Sequence, residues 1–357
     1  MPFTFSMKDT YRQAVEAASG GKQTVLYDDK GIPSVMNIIP KLTYKDVGIG
    51  TSETALPAFI KNGVVLPEIF IGTYMANVHD GRAYSLPGQV PKVYTTADQA
   101  IAYARAKGAG WHCVTNAEYA AIALWCKKNG YYPRGNNNYG SDHGATHEKC
   151  RPGTVGGDGR INLGLTGSGP SSWTHDGTPN GIYGLNGDAY EWAIGVRTVD
   201  GEIQVLENNN AAMDNADLTV GSVAWKAILQ DGTLVAPGTA NTLKFDATGV
   251  NGAGTSKLNT VITSVSDGTT YAAAQFKDTA VAAGVTAPDI LKALGLYPMD
   301  TTDHGGDYLY TRNVGERFFY RGGNWHGTSA AGVFYAYGGY PRSNSFDSIG
   351  FRVAFAV

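Results

Sequence analysis

Cysteine is scarce. Three residues, Cys113, Cys126 and Cys150, occur in 357 without CxxC spacing, so neither a disulfide framework nor a thiolate zinc site is indicated. Charge excess is missing too: the net charge of −3 and pI near 6.2 leave no basic footprint for nucleic acid and no polybasic membrane patch. No run approaches the ~18 apolar residues of a membrane-crossing helix. The opening MPFTFSMKDTYRQ has no basic region followed by an apolar stretch, so the expectation is a protein made in the cytoplasm without a cleaved signal peptide, with no nucleic-acid partner and no membrane insertion. The sharpest deficit is local. None of the 16 Lys, 9 Glu, 7 Gln or 6 Met lies beyond Glu316.

What occupies that end is FFYRGGNWHGTSAAGVFYAYGGYPRSNSFDSIGFRVAFAV, residues 318–357, built of Tyr, Ser, Gly, Asn, Phe and Ala with His326, Asp347 and three Arg. This alphabet resembles a paratope, in which Tyr gives contact area at low entropic cost while Ser, Gly and Asn give adaptable hydrogen bonds. An ordinary Gly-rich aromatic β-region closing a core has the same composition. The hydrophobic content of 43% suffices for a substantial core without staples.

Earlier in the chain, residues 8–18 have helical character ending at Gly20-Gly21. KQTVLYDDKGIPSVMNIIPKLTY forms two β-rich runs around Asp29-Lys30-Gly31, and LPEIFIGTYMANV (66–78) is a strand candidate. Thr96-x-x-Gln99 and Thr115-x-x-Glu118 match the capping box, with Gly108 and Gly130 as stops. The second of these helices buries Tyr119, Ile122, Ala123 and Cys126, so Cys126 is expected as a small core hydrophobe. From Gly130 to Gly181 the chain turns Gly-, Asn-, Ser- and Asp-rich and is expected as long loops. There His143-x-x-x-His147, Glu148 and Cys150 are metal-ligand types, but loop spacing gives them no shared face, and surface or hydrogen-bonded histidines are expected. Residues 198–300 hold short strand-like runs and a helix near APDILKALG, an inserted β-rich segment.

IFIGTY (69–74), TNAEYAAIALW (115–125), GIYGLNGDAYEW (181–192), RGGNW (321–325) and IGFRVA (349–354) follow the order seen in the formylglycine-generating-enzyme-like branch of the C-type lectin fold. The resemblance spans roughly 66–197 and 316–357. Within that branch the chain most resembles the variable proteins of diversity-generating retroelements, phage or prophage type. It implies an α+β C-type lectin fold with an N-terminal β-rich module at 1–60, for assembly or docking, and a lectin-like domain at 61–357 holding the insertion 198–300 and a variable cassette 318–357. The implied function is non-enzymatic: a diversified, hypervariable surface binding a bacterial cell-surface protein or glycan, on a virion tail or prophage-encoded. A homo-oligomer, such as a trimer assembled through residues 1–60, is expected because linked copies raise the avidity of a weakly binding face.

The resemblance also accounts for the local deficit, because Asn codons rewritten at their adenines reach Tyr, His, Phe, Asp, Gly, Ala, Ser and Thr but not Lys, Glu, Gln, Met or Trp. It implies ligand contact by His326, Gly327, Thr328, Ala330, Tyr335, Tyr337, Gly339, Tyr340, Phe346 and Asp347. Trp325, Phe334, Ile349 and Phe351 would be framework, as would Arg321 and Arg352. Tyr335 and Tyr337 share parity on an extended segment and are expected on one exposed face, which would be nearly uncharged and little affected by salt. No cofactor is required. The branch often holds structural calcium near GDAYEW, which would make Asp188 and Glu191 oxygen ligands; a turn Asp and a hydrogen-bonded Glu are the other reading, and Asp188 stands where Asn is more usual. Two alternatives follow from the same superfamily. A calcium-dependent carbohydrate-binding lectin would use that site, and a formylglycine-generating-type oxidase would need a C-terminal cysteine pair, which the chain lacks after Cys150.

Overall fold

The computed structural model describes residues 9–357. It is a mixed α/β chain dominated by sheet, with four α-helices among the described residues. The expected helix 8–18, whose first residue lies outside that range, is α1 (Thr10–Ser19). Asp9 caps it by accepting the Arg12 N–H at 2.9 Å, and Gly20 closes it in the left-handed region at φ 62°, where a side chain would be strained. Strands β1 (Gln23–Tyr27) and β2 (Pro33–Pro40) form the expected antiparallel hairpin, with Val25 opposite Val35.

That hairpin is not a separate module. β2 pairs along its other edge with β3 (Glu68–Gly72), Met36 opposite Gly72. The expected boundary at residue 60 therefore falls inside a five-stranded sheet, in which β15 (Val353–Phe355), the last strand of the chain, lies between β3 and β4 (Trp111–Cys113). The physical reason is burial: Val47, Ile49, Leu56 and Phe59 belong to the same core cluster as Tyr119, Ile122 and Leu124, so residues 9–60 cannot hide their apolar surface alone. The strand expected over 66–78 is also shorter, ending at Gly72, after which Tyr74 donates its N–H to the Ser85 hydroxyl.

Both capping boxes form. Thr96 caps α2 (Ala97–Arg105) and Thr115 caps α3 (Asn116–Lys128), each receiving the backbone N–H of the Gln or Glu three residues on while that side chain returns to the cap. Residues 130–181 contain one short 3-10 turn and isolated bridges but no strand or α-helix, as their composition requires.

The second sheet has twelve strands. Its central β5 (Tyr190–Val199) pairs with β12 (Glu316–Arg321) on one side and with β6 (Glu202–Leu206) on the other. Beyond β6 come β7 (Trp225–Ile228), β8 (Lys244–Ala247) and β9 (Ser256–Asn259). The insertion thus extends the main sheet, and α4 (Asp289–Ala293) is its expected helix. Beyond β12 the order is β13 (Ala336–Tyr340), β11 (Tyr308–Thr311) and β10 (Ala272–Gln275), with β11 and β13 parallel. β14 (Ile349–Phe351) runs parallel to β5.

One core contact sets a pH response. His175 packs at a tilt against Trp125 of α3, ring centres 5.2 Å apart, and its Nδ1 accepts the Ile182 N–H at 2.9 Å, which requires a neutral ring. Burial pulls its pKa from 6.5 down to about 4. The unfolded chain therefore binds this proton more readily, so stability is full above about pH 6.5 and falls as pH drops toward 4, by about 3 kcal/mol in all. In His175→Asn, whose Oδ1 can accept the same N–H, urea midpoints should change less between pH 6.5 and 4. An unchanged pH slope would assign the loss to other groups.

Candidate functional site

Period-two alternation in YLYT sends Tyr308 and Tyr310 to one side of β11 and Leu309 to the other, where it joins the apolar cluster with Phe319 and Ala336. The sheet register then lines up a row across four strands: Tyr310 lies opposite Tyr337, Tyr337 opposite Tyr320, and Tyr320 opposite Trp192. Such cross-strand aromatic neighbours stabilise a sheet face. Here they stack: Tyr310 on Tyr337 at 5.1 Å, Tyr320 on Tyr337 at 5.8 Å with planes 16° apart, and Tyr337 on Tyr340 at 5.3 Å. Tyr190 joins Tyr320 at 5.4 Å to Tyr335 at 5.6 Å, and Tyr271 packs on Tyr310 and Tyr337. Phe346 ends the lattice, its ring edge-on to Tyr340.

This stacking corrects the expected exposure. Tyr335 and Tyr337 do share a face, yet they are 3% and 8% exposed, because tyrosines from β5, β11 and β12 cover their rings. Gly339 is buried as well: a Cβ there would lie 2.5 Å from the Tyr337 ring, so this glycine lets that ring lie against the strand. Tyr340 is half-buried, whereas Phe346, at 47%, and Asp347 are exposed. Burial pushes the Tyr310 phenol up to about 12 and also raises those of Tyr320, Tyr335 and Tyr337 well above the usual phenol range. All four hydroxyls stay protonated at neutral pH and can donate hydrogen bonds.

The other cassette candidates sit on a separate turn. His326 and Thr328 are exposed, and Gly327 and Ala330 are half-buried. The turn is held from below, since Thr328 donates its N–H to the Asn137 carbonyl at 2.9 Å and Tyr139 donates to that of Trp325 at 2.7 Å. The His326 ring stacks near Tyr139, and its Nε2 lies 2.9 Å from the Asn324 amide. Buried residues 331–339 separate this turn from Tyr340, Phe346 and Asp347.

The framework residues are buried as expected: Trp325 is 5% exposed, and Phe334, Ile349 and Phe351 are 1% or less, each contributing on the order of 1.5–3 kcal/mol. Arg321 is buried without a carboxylate, donating to Asn116 Oδ1 at 3.0 Å and to the carbonyls of Leu294 and Gly295. Arg352 donates to both Glu191 oxygens at 2.9 and 2.7 Å and to the carbonyls of Gly72 and Tyr183.

Calcium does not fit Asp188 and Glu191. Both Glu191 oxygens are engaged by Arg352, and Asp188 Oδ1 receives the Asn136 amide and the Gly164 N–H, each at 2.8 Å. Loss of water pushes the Asp188 carboxyl up to about 6, which disfavours a charged ligand. Among the described residues no group of three or more His, Cys, Asp or Glu is placed to hold a metal ion. His143 and His147 are exposed. The three cysteines are free and buried, with burial pushing the Cys150 thiol up to about 12, which leaves it without nucleophilic character at neutral pH.

Sequence reasoning missed half of the lattice. Tyr190, Tyr271, Tyr308 and Tyr310 come from outside the cassette, as does Arg312, which lies 6.0 Å from the Tyr271 ring centre and 5.7 Å from that of Tyr340. Tyr320 and Asn344 lie within the cassette and were also unmarked; their side chains are hydrogen-bonded to each other. The alternating tyrosines of YLYTR carried a signal. No family model and no curated protein matches this chain. No helix among the described residues is long and apolar enough to cross a membrane.

Proposed function

We propose that the chain is a receptor-binding protein of the diversity-generating retroelement type, built on a C-type lectin fold and carrying no catalysis. The observation that carries this reading is the convergence of the five resembling segments. β3 of IFIGTY pairs with β15, which begins within IGFRVA, Ile71 opposite Ala354, and Arg352 ties that motif to Glu191, Tyr183 and Gly72. Arg321 of RGGNW reaches Asn116, and Tyr119 donates to the Leu185 carbonyl at 3.2 Å. The exposed cassette residues lie outside this buried frame, so they can change without loss of packing. The ligand-contacting set on this reading is His326 to Ala330 on one turn and Tyr340, Phe346 and Asp347 beside the tyrosine lattice.

The partner on this reading is a bacterial-surface protein or glycan, and the carrier is a phage or prophage. Labelled protein is expected to bind some members of a panel of intact bacteria. His326→Ser, Phe346→Ser and Asp347→Ser together should lower that binding tenfold or more while moving Tm by no more than about 2 °C, because surface substitutions cost little. Unchanged cell binding would remove the face from consideration. A cassette copy with adenines at these codons, beside a reverse transcriptase gene, should accompany the gene. Homo-oligomerisation, as a trimer, belongs to the same reading because linked copies raise avidity; light scattering showing only monomer at micromolar concentration would remove it.

A further inference from the structure

Three arginines near the cassette are neutralised within the chain: Arg197 by Glu316, Arg342 by Asp98 and Arg352 by Glu191. Arg312 is different. Directly after β11, it shares the face of Tyr308 and Tyr310, and it takes part in no ion pair among the described residues. Its Nε donates to the Thr270 carbonyl at 3.1 Å and its Nη2 to the Thr269 carbonyl at 2.8 Å. Those two bonds fix the guanidinium plane but use only two of its five N–H donors. The terminal Nη1–Nη2 edge remains available, the edge that pairs with both oxygens of a carboxylate, phosphate or sulfate.

The loop that aims this group is itself held rigid. Asp267 Oδ1 accepts the N–H groups of Thr269 and Thr270, both at 2.8 Å, and the Thr269 hydroxyl at 2.7 Å. The same loop leads into Tyr271, which is 41% exposed. A cation is therefore placed in advance between an exposed ring and the half-buried Tyr340, and a ligand meeting it need not bear the cost of ordering the side chain.

Resting on the binding-face reading above, we propose that Arg312 marks an oxyanion subsite at the edge of the tyrosine lattice, for an acidic group carried on a bacterial-surface glycan. The lattice favours a glycan over an acidic protein. Its central rings stack on one another at 5.1 to 5.8 Å, so their faces are already covered and offer no hole for an apolar anchor of the kind protein partners insert. The Tyr320 and Tyr335 hydroxyls are taken up by Asn344 and Tyr190, and no tyrosine hydroxyl is a buried atom without a partner among the described residues, which leaves Tyr310 and Tyr337 to offer hydroxyl edges. Hydroxyl donors beside a fixed guanidinium suit a polyhydroxylated acid, with Tyr271 and Phe346 as the two open rings. On this proposal binding depends on salt, in contrast to the nearly uncharged face that the cassette composition led one to expect. Because the whole chain carries −3, indiscriminate attraction of polyanions is disfavoured.

The test uses the full chain on immobilised polygalacturonate, dextran sulfate and polyglycerol phosphate, which separate carboxylate, sulfate and phosphate, with neutral dextran and polyglutamate as controls. At least one acidic glycan should bind and weaken as salt rises, and Arg312→Gln should lower its affinity tenfold or more. Arg312→Lys, which keeps the charge but not the fork, should recover only part of it; melting curves establish that both variants fold. The subsite is overturned if no acidic glycan exceeds neutral dextran, if polyglutamate alone binds, or if a folded Arg312→Gln binds undiminished. If the subsite fails in these assays while intact cells still lose binding with the His326, Phe346 and Asp347 substitutions, the binding face stands and only its anionic ligand falls. If cell binding survives both sets of changes, the face itself is misplaced.

Discussion

Arg352→Met is expected to lower the unfolding free energy by about 3–5 kcal/mol, the usual consequence of leaving one member of a buried ion pair alone. Arg352 and Glu191 are both fully buried, and the arginine also satisfies the carbonyls of Gly72 in β3 and of Tyr183 in the segment leading to β5. Its removal strands a carboxylate and two acceptors at once, each costing more than a hydrogen bond returns. Glu191→Leu should be similarly damaging, because it isolates the guanidinium. The double variant should cost clearly less than the two single losses combined, since no charge then remains unpaired. Urea denaturation of the four proteins measures this directly. Additive losses would mean that the two side chains act independently and that the pair does not lock the two sheets together.

Local chemistry made much of the fold legible. Thr96 and Thr115 each announce a helix through a residue three positions on, a signal confined to one turn of chain. The density of Gly and Asn over 130–181 likewise reports directly that regular structure stops. The framework roles of Arg321 and Arg352 were visible through resemblance, although their partners were not, because Asn116 lies 205 residues from Arg321 and Glu191 161 from Arg352. Long-range pairing is where the sequence fell silent. Nothing in YLYTR says that it will lie parallel to AYGGY, and without that pairing Tyr335 and Tyr337 look like free surface aromatics. The module boundary expected at residue 60 shifted for the same reason. β2 carries enough apolar residues to be a strand, but only the pairing with β3 shows that its second edge is covered.

Because of that pairing, Tyr335→Ser and Tyr337→Ser should behave as core substitutions. Each removes a ring that neighbours enclose, and truncating a buried aromatic costs about 3–5 kcal/mol. Tyr335 also loses its hydroxyl contact with Tyr190, 3.5 Å away. Tyr337 loses more stacking, with Tyr310, Tyr320, Tyr340 and Tyr271 all resting on its ring. Since both touch Tyr310, the double variant should depart from additivity. Tyr335→Phe and Tyr337→Phe keep the rings and should cost about 1 kcal/mol or less. The comparison that matters is with Phe346→Ser, whose ring is nearly half open, packs mainly on Tyr340 and should change stability by about 1 kcal/mol at most. Urea midpoints for the six variants would place the stability in the lattice rather than at its rim. Should Tyr337→Ser unfold no more readily than Phe346→Ser, the lattice contributes no packing, and its tyrosines would be as free to vary as the exposed cassette positions.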